Sequence, residues 1–380
     1  MTKYICEKAN PESLHASADL LPRWFRKRYI WPLRAVSRHK GIHMKKKNAW
    51  LVAGLLAVVA PAAWSATGSV SLIDQSGLKY FINTNITFST TSSASGAMSE
   101  ASYTGPVAAD TLNGGTTQST LNDSFDGYNT ICVSLNNTAG NCATGNANFV
   151  IYNKNGPATT ISGGREVQFS DQVIGGLTVS RRVFVPTNDS FSRTLNFFTN
   201  TTGAPITFTA TVANNLGSDS NTKITATSSG DLTATTADTW VASFQNWSGT
   251  TSSDVRLCHV LVGPGAAVSL SALNFVDGDD NPFWSYSVTL APGQTRIIAN
   301  FVSGQPTRAA AAAKCAALGG PQTSSSHMFD NMTATEKSQV ANFVTTSPGL
   351  GIKGGAMGVD FLLVGLGALG LSRRRRRQHA

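Results

Sequence analysis

The sequence predicts a mainly β protein. It reads as a large antiparallel β-sandwich with two short helices at its C-terminal end, an N-terminal signal helix and a C-terminal transmembrane helix. Three observations carry this reading. Apolar and polar residues alternate with period two through several segments rich in Val, Ile, Thr and aromatics. Gly, Asn and Ser turn signals separate those segments at short intervals. An apolar run lies near each end of the chain, with basic residues beside it.

Strands are expected at Val70–Ile73, Tyr80–Phe88, Asn148–Tyr152, Glu166–Phe169, Leu177–Val185, Ser192–Thr199, Lys223–Ser228 and Thr239–Phe244. In 206–212, Ile206, Phe208, Ala210 and Val212 alternate with three threonines, the pattern of a half-buried strand. Leu257–Val262 is nearly all apolar and suits a strand buried on both faces. A less regular strand covers Val268–Leu273. Trp284–Leu290 and Ile297–Val302 flank Ala291-Pro292-Gly293-Gln294, which reads as a tight hairpin turn. The Ser-, Thr-, Gly- and Asn-rich stretch Ser89–Thr130 reads as surface loops. The whole of 66–302 makes either one enlarged sandwich or two packed subdomains.

Two helices close the domain over 303–345. Thr307–Leu318 holds five consecutive alanines, which favour helix, and Gly319-Gly320-Pro321 ends it. Thr333 and Glu336 form a capping box that opens a second helix through Phe343.

The ends carry the charge. The formal net charge is +9. Yet 66–372 holds 13 Lys and Arg against 18 Asp and Glu, so the domain itself is mildly acidic. Phosphate neutralisation needs basic residues on the folded surface, which argues against a nucleic-acid partner.

Lys45, Lys46 and Lys47 precede the apolar run Ala49–Ala60, and Ala63-Trp64-Ser65 offers a small-x-small cleavage site before Ala66. This is the order of a secretory signal peptide spanning 44–65, cut by signal peptidase between Ser65 and Ala66. The Arg- and Trp-rich residues 1–43 then form a leader outside the fold, most simply explained by translation starting at Met44.

At the other end, 346–355 is a linker ending in Gly354-Gly355. An apolar segment, 356–372, follows, interrupted by Asp360, and then Arg373, Arg374, Arg375, Arg376 and Arg377 within the tail 373–380. The segment is at the lower limit for spanning hydrocarbon, and the arginines would hold that end in the cytoplasm. The pattern resembles the C-terminal sorting tails of Gram-negative surface proteins, in the Gly-Gly class processed by a rhomboid-type intramembrane protease (rhombosortase). That resemblance implies an inner-membrane precursor that is cut and passed to the cell surface, outer membrane or medium. The alternative is a plain membrane anchor.

Arg181-Arg182-Val183-Phe184-Val185-Pro186, Thr194-Leu195-Asn196 and Asn214–Asp219, with the Pro-Gly-Gln turn and the Ala-rich helix, resemble domains of large bacterial surface proteins. The resemblance implies a β-sandwich of unassigned function joined to varied anchors.

Of five cysteines, Cys6 lies in the leader. Cys132, Cys142, Cys258 and Cys315 remain, an even number that implies disulfides in an exported chain. Three pairings are possible. Cys132–Cys142 closes a short loop easily, and Cys258–Cys315 would then tie the Ala-rich helix to a core strand. A metal site is disfavoured because no C-x-x-C is present.

Chemistry is sparsely signalled. No G-x-S-x-G, H-E-x-x-H or P-loop occurs, and no catalytic residue is assigned. His259, in an apolar strand, reads as a packed histidine. Asp277, Asp279 and Asp280 could offer oxygen ligands to Ca²⁺, against the reading of a solvated loop; no other cofactor is implied. Trp240, Trp247 and Trp284 could form a sugar-stacking platform or fill the core. The function expected is therefore a surface-anchored or released structural or adhesive protein, with a glycan or protein ligand. The alternative is a carbohydrate-binding or glycan-active sandwich.

Overall fold

The computed structural model describes residues 65–66, 68–84, 94–103, 121, 124–142, 147–154, 158–245, 254–322 and 326–345. The chain runs through β1 (Ser65–Ala66), β2 (Ser69–Ile73), β3 (Leu78–Asn83), β4 (Met98–Tyr103), β5 (Thr130–Ser134) and β6 (Val150–Ile151). It continues through β7 (Ala158–Ile161), β8 (Glu166–Ile174), β9 (Leu177–Phe184), β10 (Ser192–Asn200), β11 (Ile206–Ala213) and β12 (Thr222–Thr227). Then come β13 (Trp240–Gln245), β14 (Arg256–Val260), β15 (Leu270–Asn274), β16 (Phe283–Leu290) and β17 (Thr295–Gln305). Helices α1 (Arg308–Gly319) and α2 (Ala334–Gln339) follow.

Among the described residues, the strands pair antiparallel in three sheets. The first has nine strands in the order β1-β7-β8-β9-β10-β17-β14-β13-β12. The second has five, β15-β16-β11-β5-β6, and the third three, β2-β3-β4. One core joins them: Tyr80 and Met98 of the third sheet, Phe208 and Trp284 of the second, and Val183, Phe198 and Ile298 of the first belong to a single buried cluster. The rings of Phe198 and Phe208 meet across the two large sheets at 5.1 Å.

Alternation sets the faces of the nine-stranded sheet. On β17, Ile298 and Val302 enter the sandwich core, while Ile297, Ala299 and Phe301 join a second cluster with Cys315, Leu318 and Phe343 on the outer face. Helices α1 and α2 cover that outer face. The approach of α1 is close enough to require glycine: a Cβ on Gly319 would stand 2.4 Å from the Trp240 ring. Strand β14 is buried at every position, as its sequence predicts, because both its faces are covered.

The expected turn at Ala291–Gln294 forms, with Gln294 N donating to Ala291 O at 3.0 Å and Gly293 at φ 71°. It is not a hairpin, however. Strand β16 pairs with β11 and β15, whereas β17 pairs with β10 and β14. The turn is a corner between sheets. The segment read as loops, Ser89–Thr130, contains β4 as well. Its buried side chains (Met98, Ala101, Tyr103) are too few and too unevenly spaced to signal a strand. Strands β5 and β7 were likewise not expected. The second helix stops at Gln339, and Val340 instead bridges to Ile297 in parallel. Buried Asn342 then completes the ladder, accepting from Ala299 N at 2.8 Å and donating to the carbonyls of Ala299 and Leu261.

Among the described residues, no helix is long and apolar enough to cross a membrane. The signal helix, the 356–372 segment, Ala63, Gly354, Gly355 and Arg373–Arg377 lie outside the described residues, as do Phe88 and Trp247.

Candidate functional site

Strands β8, β9 and β10 run side by side beyond the cover of α1. Period-two alternation places Glu166 and Gln168 of β8, Ser180 and Arg182 of β9, and Arg193 and Phe197 of β10 on the outer face. Register pairs Gln168 with Arg182, and Ser180 with Phe197. Gln168, Ser180, Arg181, Arg182 and Phe197, together with Glu336 of α2, line a groove of about 140 Å³. Such a volume is small beside the roughly 300–1,000 Å³ of a drug-sized pocket, and suits one ring-sized polar group.

The floor is held by charge. Glu166 is fully buried and sits 3.1 Å from Arg193 Nη2 and 3.8 Å from Arg182 Nε, while Ser162 Oγ donates to its other oxygen at 3.0 Å. Arg193 is also buried, donates to the carbonyls of Met328 and Asp330, and stacks on Phe184 at 4.6 Å. Burial pushes its guanidinium down to about 10, against the opposing pull of Glu166, so it remains charged at neutral pH. Arg182 lies over the Phe197 ring at 4.7 Å and donates from Nη2 to Glu336. The other oxygen of Glu336 accepts from Thr333 N and Oγ1, at 2.8 and 3.1 Å, within the expected capping box.

Two arginines therefore face two carboxylates, and the formal charges cancel. Neither carboxylate is free to act as a general acid or base: Glu166 is saturated and inaccessible, and Glu336 is bound at both oxygens. The arrangement can bind, through the amide of exposed Gln168, the hydroxyl of Ser180 and the flat Arg182–Phe197 stack. Sequence reasoning missed Gln168, Ser180, Arg182, Phe197 and Glu336 as a site. The available signal was the run of polar residues at alternate positions of otherwise buried strands.

The residues singled out from sequence fall elsewhere. Cys132–Cys142 and Cys258–Cys315 are both disulfide-bonded, with Cα separations of 6.0 and 5.3 Å. The second ties α1 to β14. Ser65 and Ala66 pair through their backbones with Thr159 and Ala158. His259 is a packed histidine, as expected, with Nδ1 at 2.8 Å from Tyr128 Oη and Nε2 at 2.9 Å from Ser243 Oγ. Burial presses it down to about 3, so it is neutral. Trp284 is fully buried in the sandwich, and Trp240 packs against the helix-side cluster, so neither offers a sugar platform.

The calcium reading of the Asp277 loop does not hold as a three-carboxylate site. Asp277 pairs with Lys223 at 2.9 Å and accepts from Ile224 N. Asp279 accepts from Asn281 N, and Asp280 from the Asn281 amide. Burial, with Asp219 and Asp279 nearby, raises Asp280. Among the described residues, no group of three or more His, Cys, Asp or Glu side chains could hold a metal ion.

No family model matches the chain, and no curated protein matches it by sequence. Among solved structures, it is similar to a galactose mutarotase-like protein from Lactobacillus casei (10% identity, 63% of this chain and 100% of that one, TM-score 0.34). It is also similar to a galactose mutarotase related enzyme from Lactobacillus acidophilus (8% identity, 62% and 97%, TM-score 0.29). A polysaccharide lyase matches at 12% identity over 64% of this chain, with a TM-score of 0.34, and the match spans 33% of the lyase. At these scores the overlap is partial, and the functional reading rests on the chain's own residues.

Proposed function

We propose that this chain is an exported, non-enzymatic binding protein of the bacterial cell surface, and that the Arg182–Phe197 groove holds one neutral, hydroxyl-rich residue of a glycan. The observation that carries the reading is the groove's chemistry. Sugar hydroxyls need paired donors and acceptors, which Gln168 and Ser180 supply. A pyranose face needs a flat surface, which the guanidinium–aromatic stack supplies. The cancelled charges favour a neutral sugar over a uronate or a sulfated one, because Arg182 is paired with Glu336 and the Arg181 guanidinium is buried on Ser95 and Asn129.

Export is supported by the signal-peptide pattern at 44–65 and by two disulfides, which persist in oxidising compartments. The tail 354–380 serves in this reading as the address. Gly354-Gly355 is the cleavage signature, 356–372 the span and Arg373–Arg377 the cytoplasmic stop.

A glycan array probed with the purified full chain tests the ligand. Binding to neutral glycans that is lost in Arg182→Ala supports the proposal; an array with no neutral-glycan signal contradicts it. Replacing Gly354-Gly355 with bulky residues tests the address. Loss of tail removal, seen as an unprocessed mass, is expected, and normal removal rejects the Gly-Gly assignment.

A further inference from the structure

Arg181 follows the opposite course to Arg182. Its side chain turns from β9 into the sandwich and is fully buried. Nη1 donates to Ser95 O at 3.1 Å, and Nη2 donates to Asn129 O at 2.5 Å and Asn129 Oδ1 at 2.8 Å. Asn129 adopts φ 64° there, a left-handed conformation that Asn tolerates better than most residues. All three acceptors are neutral. No carboxylate among the described residues pairs with Arg181, in contrast to Arg193, which has Glu166. Burial lowers the guanidinium only to about 10, so the charge persists at neutral pH.

The Nε of Arg181 has no hydrogen-bond partner. Directly across the β9–β10 ladder stands Asn196, fully buried and with neither amide atom partnered. Opposed residues on one face of an antiparallel pair hold their Cβ atoms about 4.5–5.5 Å apart. Arg181 and Asn196 therefore occupy facing positions on the inner side of the sheet, with Val179, Val183 and Phe198, all buried in the sandwich core, at the adjacent positions of that face. An unpaired charge out of water is costly, and a counter-charge is the ordinary remedy.

We propose that Arg181 Nε and Asn196 Nδ2 together bind a small monovalent anion of the halide class within the sandwich. Two donors and an apolar, close-packed surround suit a single desolvated ion. A phosphate brings four oxygens, more than these donors can serve, and a carboxylate brings an organic group that a buried site between sheets has to accommodate as well. Arg181 also borders the groove, but its guanidinium reaches Ser95 and Asn129 instead of Gln168 or Ser180, so the two proposals are tested separately.

The test is thermal unfolding of the full chain at constant ionic strength, with chloride exchanged stepwise for gluconate. Chloride should raise the melting temperature by a few degrees and saturate, and bromide should do the same. Asn196→Ala removes two buried polar atoms that make no bonds, so the variant should fold, and its melting temperature should no longer respond to chloride. Identical melting in both salts overturns the proposal, as does an undiminished chloride response in Asn196→Ala. Anomalous diffraction from a bromide-soaked crystal gives a direct reading. A peak within hydrogen-bond distance of Arg181 Nε supports the site; solvent density there without anomalous signal refutes it.

Discussion

Single buried polar side chains decide much of this protein's energetics. Glu166 and Arg193 are both inaccessible and bonded at 3.1 Å. Arg193→Met leaves a buried carboxylate with only the more distant Arg182 opposite, and should cost about 3–5 kcal/mol in urea unfolding. Arg182 is partly exposed, so Arg182→Ala should cost less, roughly 1–2 kcal/mol. His259 gives a pH dependence with a definite sign. Its folded value is about 3 against an ordinary 6.5, so the unfolded chain takes up the proton first. The stability it contributes is complete above pH 6.5 and falls by about 1.4 kcal/mol per pH unit as pH drops toward 3. Comparing urea midpoints at pH 7 and 4.5, His259→Gln should lose about 2–3 kcal/mol less than the wild type on acidification. Equal losses would show that His259 is not the buried neutral group described.

At the scale of elements, the disulfide between Cys258 and Cys315 fastens α1 to β14, and α1 covers much of the second core cluster. Replacing both cysteines with alanine should cost about 2–5 kcal/mol, measured under non-reducing conditions. Helix α2 depends on its cap, and Thr333→Ala should cost about 1 kcal/mol. Because Glu336 serves both the cap and Arg182, the same change should also weaken binding in the groove. Strands β11 and β16 were legible in the sequence because of their alternation; it tracks burial only in the second half of β16, whereas Thr209 and Thr211 of β11 are as buried as the apolar residues between them, so that strand is not half-buried as expected. Strand β4 was hidden among serines and alanines, and a register shift between Phe81 and Ile82 of its partner breaks the ladder beside it. The Pro-Gly turn was legible as a turn but not as a corner, since local chemistry fixes the reversal and not the sheet that the next strand joins.

At the scale of the molecule, the sandwich was readable and the site was not. The groove draws Gln168, Ser180, Arg182 and Phe197 from three neighbouring strands and Glu336 from far along the chain, and no spacing in sequence announces that convergence. Of the tryptophans that could stack a sugar or fill the core, Trp284 takes the core, filling the space between sheets, and Trp240 packs partly buried against the helix-side cluster. Both ends, which carry the excess positive charge of the chain, are addresses in the proposed account, and the mildly acidic domain between them does the binding.

The central claim is that the groove on the nine-stranded sheet binds a neutral sugar. It is tested most directly by calorimetric titration of a neutral glycan identified on the array into wild-type chain and into the Gln168→Ala, Ser180→Ala double variant. Both positions are partly or fully exposed, so the variant should melt within a degree or two of the wild type. The account predicts that affinity falls at least tenfold while melting is unchanged. Undiminished affinity in a normally folded double variant would contradict it.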